Sequence, residues 1–305
     1  MNKNLTSTRR TAQLALLSIT AIWGWTFVII KESLSSVGTF TFLFYRFSLA
    51  TLILAALFWP HLRKADPKSW LNGIWIGVAL FIGYALQTYG LNFTTASSSA
   101  FITGLSVVIV PILGIILLGQ RIGRSAWMGV GTSALGLALI VFGRSTDTFS
   151  INLGDLLTIT ATFGFAFQIL WISHVTRPEN YKVILVAQIA VVAVFSGLGM
   201  LLAEGAVLPH SDAVWQGILF TSILATVVAL GVQVRFQTQL TAVQTAIIFT
   251  CEPVFGGIFG YLLRGEQFVN WQWLGAILII AAMIISQWPA KDKSESLGLT
   301  RSSDL

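Results

Sequence analysis

The sequence predicts an all-α polytopic membrane protein, with ten transmembrane helices in two inverted five-helix repeats and both termini in the cytoplasm. Three observations carry this expectation: composition, the length of the apolar runs, and an internal repeat. Of 305 residues, 55% are hydrophobic and 10% charged, with a mean hydropathy of +0.80. Soluble domains carry about 25% charged residues, so a water-soluble fold could not hide this much apolar surface.

A helix needs about 20 mostly apolar residues to cross the roughly 30 Å hydrocarbon core. Runs of that kind lie near 12–30, 39–59, 70–91, 97–119, 125–142, 153–175, 183–203, 213–236, 242–263 and 271–288. The first follows a basic start and ends at Ile30-Lys31-Glu32. No small-residue cleavage site follows it, and it has a copy later in the chain, so it reads as a retained helix rather than a secretory signal. Pro60-His61-Leu62-Arg63-Lys64 and Arg177-Pro178-Glu179-Asn180 punctuate the runs as loops do. Asn92 to Ser99 is short and uncharged, a tight turn or a helix-end irregularity. The tail from Lys291 to Leu305 is Ser-rich and has no apolar face to bury, which predicts disorder.

Lys and Arg fix the orientation. With the amino terminus inside, 14 fall in cytoplasmic segments (Lys3, Arg9, Arg10, Arg63, Lys64, Lys68, Arg121, Arg124, Arg177, Lys182, Arg235, Lys291, Lys293 and Arg301) and 3 outside (Lys31, Arg144 and Arg264). The net charge of +6 is therefore spread over short loops. It lacks the clustered face that a nucleic-acid partner needs. The single cysteine, Cys251, excludes an internal disulfide.

A shift of 140 residues aligns Leu16–Ile29 with Leu156–Ile169 at eight identities in fourteen positions, Gly24 with Gly164 among them. A shift of 146 aligns Gln87 with Gln233, Thr95-Ala96 with Thr241-Ala242, Gly119 with Gly265, Trp127 with Trp273 and Gly129 with Gly275. The six-residue difference fits a longer loop near Glu204 to Asp212. The expected organisation is a first repeat over 1–147, a second over 148–290 and a polar cytoplasmic tail over 291–305. Five helices per repeat is an odd number, so the second copy enters the membrane from the opposite side. One unit packed in two orientations gives two related conformations, each open to one side, around a site near the midplane. That is carrier architecture; aquaporin-like channels share it, so a channel or a scaffold is the other class it admits.

Trp23-Gly24 with Phe27, Arg46-Phe47, Glu252-Pro253 and Gly265-Glu266 together resemble the EamA-type transporters of the drug/metabolite transporter superfamily, over nearly the whole chain. The resemblance implies ten helices in two repeats, a multi-pass cell-membrane location and, in many members, export of amino acids or related metabolites. Distant relatives of this architecture imply nucleotide-sugar or lipid-intermediate movement instead. The first half departs from the pattern: Gly119-Gln120 stands where the family has Gly-Glu, and Ser106-Val107 matches Glu252-Pro253.

Ionisable groups deep in a bilayer are costly and point to function. Arg46 and Glu252 are the two within the spans. Glu252 sits near the midplane, as a proton-linked or amine-binding carboxylate, as a structural partner of Arg46, which reads as an ion-pair candidate, or as a protonated, hydrogen-bonded residue holding a kink at Pro253. Gln87 and Gln233, and Trp25 and Phe165, occupy matched repeat positions; Gln168, Trp23, Trp171 and Tyr84 lie close to them in depth. Amides would fix polar groups of a small-molecule substrate while rings form an apolar wall. Gly73 with Gly77, Gly129 with Ser133 and Gly256 with Gly260 read as close helix packing. No nucleotide-binding loop, histidine metal cluster or nucleophile motif is present, so an ATP-driven pump or an enzyme is not expected and no cofactor is implied.

Overall fold

The computed structural model describes residues 3–142, 152–264 and 270–286. Among the described residues every regular element is helical. In order these are α1 (Lys3–Ser33), α2 (Thr39–Leu62), α3 (Pro67–Gly90), α4 (Ala96–Gly104), α5 (Ser106–Leu118), α6 (Arg124–Phe142), α7 (Leu153–Val175) and α8 (Tyr181–Gly199). There follow α9 (Asp212–Phe220), α10 (Ala229–Phe236), α11 (Ala242–Phe249), α12 (Cys251–Arg264) and α13 (Asn270–Ile285). Seven helical segments are long and apolar enough to cross a membrane, namely Thr8–Ser33, Thr39–Leu62, Pro67–Gly90, Ala96–Leu118, Leu153–Val175, Tyr181–Glu204 and Asp212–Gln239; Ala242–Gly256 and Asn270–Ile285 are shorter apolar helices. The motif Gly265-Glu266, Arg144 and the tail 291–305 lie outside the described residues.

Local chemistry sets the boundaries. Asp66 caps α3, its carboxylate accepting from the Ser69 backbone N–H at 2.9 Å, with Pro67 opening the helix. The repeat-matched threonines do the same work in both halves. Thr95 Oγ1 accepts from Ser98 N at the start of α4, and Thr241 Oγ1 accepts from Gln244 N at the start of α11. Such side-chain acceptors satisfy the unpaired N–H groups of a first turn. Asn92–Ser99, read as a turn or an irregular helix end, is thus a turn followed by a capped helix start. Gly119, at φ 60°, closes α5 in the left-handed conformation that glycine tolerates.

Two of the apolar runs are not continuous helices, which corrects the sequence reading. The fourth breaks at Leu105 and the ninth at Thr250, where each N–H turns back to the third residue before it (Ile102 O at 3.0 Å and Ile247 O at 3.3 Å). At Thr250 the hydroxyl also donates to Ile247 O at 2.6 Å and pairs with Ser133 Oγ at 2.7 Å, competing for the carbonyl. Pro253 does not kink a long helix. It lies in the first turn of α12, where a missing N–H costs nothing.

The halves meet through a twofold-like contact of α6 with α13. A methyl on Gly129 would stand 3.2 Å from Ala282 O and 2.9 Å from Ser286 Cβ; one on Gly275 would stand 2.4 Å from Gly136 O and 2.8 Å from Ile140 Cγ1. The shift of 146 carries each of these contacts onto the other, and the two helices run antiparallel. Gly73 and Gly77 press on Ala187 and Val191 of α8 in the same close-packed way.

A second tie crosses the sequence at the end of α8, which continues as a π turn over Met200–Glu204. Glu204 accepts from Phe40 N at 2.9 Å, from Thr41 N at 2.8 Å and from Thr41 Oγ1 at 2.8 Å, capping α2 with a charge that complements its dipole. Glu204→Ala is expected to lower stability by about 2 kcal/mol, read as a fall in melting temperature in detergent, with Glu204→Gln losing less. An unchanged melting temperature for the alanine variant would show that the carboxylate does not hold α2.

Candidate functional site: a cavity between the broken helices

A helix break frees backbone groups and leaves space that neighbouring helices cannot fill, so the two breaks locate the cavity. It contains about 680 Å³ of empty space, the part open to solvent included. Its wall takes Trp23, Thr26, Phe27 and Ile30 from α1, Arg46 from α2, and Leu80, Tyr84 and Gln87 from α3. The first break contributes Thr103, Gly104 and Ser106, and the second Phe249 and Glu252. Phe165, Gln168 and Ile169 of α7 and Leu230 and Gln233 of α10 complete it. Ser106 and Glu252, repeat-matched, each sit in the first turn of a half-helix.

Seven of the sequence-selected residues therefore share one wall: Trp23, Arg46, Tyr84, Gln87, Gln168, Gln233 and Glu252. Glu252 keeps part of its surface accessible and makes no hydrogen bond or ion pair among the described residues. Its carbonyl is covered by α1, since a methyl on Gly24 would stand 2.7 Å from Glu252 O. Trp23 donates from Nε1 to Ala225 O at 3.1 Å and meets Phe249 edge-on at 5.1 Å. Gln87 donates to Thr103 Oγ1 at 2.7 Å, linking α3 to the first break.

Arg46 departs from its expected role. No ion pair joins it to Glu252; its side chain is 1% exposed and held by neutral groups. Nε donates to Thr226 Oγ1 at 3.0 Å, the guanidinium carbon lies 4.9 Å from the ring centroids of both Phe47 and Tyr84, and Nη1 has no acceptor. Thr226 is placed by a π turn over Thr221–Val228, its hydroxyl donating to Thr221 O at 2.9 Å.

Gln168 and Gln233 belong to a cluster of buried amides. Gln233 Nε2 donates to Gln168 Oε1 at 3.0 Å and to Gln237 Oε1 at 3.1 Å, and Gln237 Nε2 donates to Ile169 O at 2.6 Å and Ser173 Oγ at 2.8 Å. Gln188 Oε1 accepts weakly from Gln168 at 3.3 Å.

Two selected residues lie elsewhere. Trp25 is 39% exposed on the outer face of α1, between Phe220 and Phe259; its repeat mate Phe165 points inward, 5.3 Å from Tyr84. Helical rotation of α1 relative to α7 separates the pair. Trp171 stacks on Phe167 at 5.1 Å and does not reach the wall. Thr103, Thr226 and Gln188 were not selected. Gln188 had a signal, being the eighth residue of α8 as Arg46 is of α2; Thr226 had none, because its aim depends on the π turn.

A bundle of membrane-length helices enclosing a mainly apolar cavity with a few polar side chains, at the junction of two like halves, has the anatomy of a membrane transporter. The chain belongs to the EamA-like transporter family, whose model matches residues 10–142 and again residues 152–287. An uncharacterized transporter of Archaeoglobus fulgidus is 31% identical over 274 residues, covering 90% of this chain and 85% of that protein. A probable amino-acid metabolite efflux pump of Escherichia coli is 24% identical over 291 residues, covering 91% and 95%. A solved crystal structure shares the fold with a TM-score of 0.75 at 15% identity, over 91% of this chain and 96% of that one.

Thr226→Val keeps the shape and removes the Nε acceptor. It is expected to cost roughly 1–3 kcal/mol in thermal denaturation, while Thr226→Ser stays near wild type. Equal stability of the valine variant would show that another group holds Arg46.

Proposed function

We propose that the chain is a secondary or facilitative carrier in the cell membrane, exporting small metabolites such as amino acids or related compounds by alternating access. Ten spans, a first repeat over 1–147, an inverted second over 148–290 and both termini in the cytoplasm frame this reading. The antiparallel packing of α6 on α13 and the distribution of Lys and Arg support it.

The observation that carries it is a broken symmetry. Gly24 of α1 and Gly164 of α7 are repeat mates, yet they press on unlike neighbours. A methyl on Gly24 would stand 2.7 Å from Glu252 O and 2.8 Å from Gly256 N of α12, whereas one on Gly164 would stand 2.6 Å from Ala79 O and 2.9 Å from Gly83 N of α3. Inverted repeats that adopt unlike packings exchange them when the site changes sides. In the opposite state Gly24 packs on Ala225 and Ala229, and Gly164 on Ser106 and Val110. The partly accessible Glu252 then serves as the carboxylate that meets an amine of the cargo or a coupling proton.

The test is counterflow of labelled amino acids and amines in proteoliposomes. Saturable counterflow supports a carrier, and flux that rises without saturation contradicts it. Gly164→Ala places a methyl against α3 and costs the observed state about 1–3 kcal/mol, so turnover is expected to fall several-fold while the protein stays folded. Wild-type turnover in that variant would count against the exchange of contacts. Glu252→Gln is expected to cut transport of amine-bearing cargo at least tenfold. Wild-type rate and pH dependence in that variant would sink the role of Glu252.

A further inference from the structure

We propose that Arg46 receives an anionic group of the cargo, so that the cavity selects molecules carrying a carboxylate beside an apolar body; the proposal rests on the carrier reading above. A guanidinium keeps its charge in proteins. Burying it without a counter-charge is expensive, and such groups persist where they are paired or where they act. Arg46 lines the cavity at 1% exposure, with Thr226 Oγ1 on Nε, two aromatic rings flanking the guanidinium and no acceptor on Nη1. The acidic residue of the same wall, Glu252, is not paired with it.

A carboxylate is the group that fits. Arg46 is a single cation beside one carboxyl group, Glu252, which suits a cargo whose anionic group carries one charge. A phosphate dianion would meet one cation and one carboxylate. The wall beside Arg46 is apolar and aromatic, with Tyr84, Phe165 and Leu80, and offers no second cation among the described residues. The repeat counterpart of Arg46 by helix position is Gln188, a neutral amide of the Gln168 cluster, so the anion has a receptor in one half alone and the cargo enters in one orientation.

The full-length protein in proteoliposomes is tested with L-phenylalanine, phenethylamine, 3-phenylpropionate and phenyl phosphate, and with L-leucine, 3-methylbutylamine and 4-methylpentanoate. Wild type is expected to show saturable counterflow of carboxylate-bearing probes. In R46Q the half-saturation ratio of each carboxylate-bearing probe to its matched amine rises at least tenfold, about 1.4 kcal/mol, and R46K restores part of the difference. Elution profiles in detergent report folding, and where R46Q does not fold, the same ratio is read in R46K, where it rises less but in the same direction. An unchanged ratio in a folded variant overturns the role of Arg46, as does a wild type that carries the amines alone. Preference for phenyl phosphate overturns the carboxylate. A wild type with no saturable counterflow of any probe overturns the carrier reading, and this assignment with it.

Discussion

A hydrocarbon bilayer has no water to satisfy backbone polar groups, so a helix interrupted inside it is tolerated only where protein covers the break or a cavity adjoins it. Two such interruptions, at Leu105 and Thr250, stand at nearly matched places in the two halves. The remaining anatomy follows from them. The half-helix starts bring Ser106 and Glu252 to the cavity, α1 closes over the second break through Gly24 while α7 presses on α3 through Gly164, and hydroxyls at Ser133, Thr250 and Thr103 absorb hydrogen bonds near the interruptions.

Electrostatics then gives the cavity a direction. A buried arginine and a carboxylate in one wall would be expected to neutralise one another, since an unpaired buried charge costs several kcal/mol. Here the aromatic faces of Phe47 and Tyr84 and the Thr226 hydroxyl compensate Arg46 in part, leaving Nη1 without an acceptor and Glu252 without a cation. The amide cluster of Gln168, Gln233 and Gln237 adds a neutral, hydrogen-bonded part to the same lining. The halves are thus alike in backbone and unlike in charge.

Much of this could be read from the sequence, because bilayer physics ties function to simple patterns. Apolar run length located the helical segments, the shift of 146 placed Thr95 and Thr241 on equivalent helix starts, and the cost of intramembrane charge singled out Arg46 and Glu252. What stayed hidden depends on facing and on local backbone departures. Trp25 and Phe165 match in sequence but face different ways, because the wall presented by α1 begins two residues earlier, at Trp23. The helix break falls before Pro253 because proline suits a first turn, and Arg46, one candidate partner for Glu252, is instead bonded to Thr226 of a π turn.

The central claim is that one cavity at the junction of the halves is reached from each side in turn. Thr103 lies in its wall beside the first break, so a cysteine there, in a background where Cys251 is replaced by serine, reports access to a membrane-impermeant maleimide added to either face. The account predicts labelling from both faces in the working protein, and labelling from one face alone when Gly164→Ala disfavours the observed packing. Labelling from both faces that this substitution leaves unchanged would mean a continuous pore, and would contradict the account.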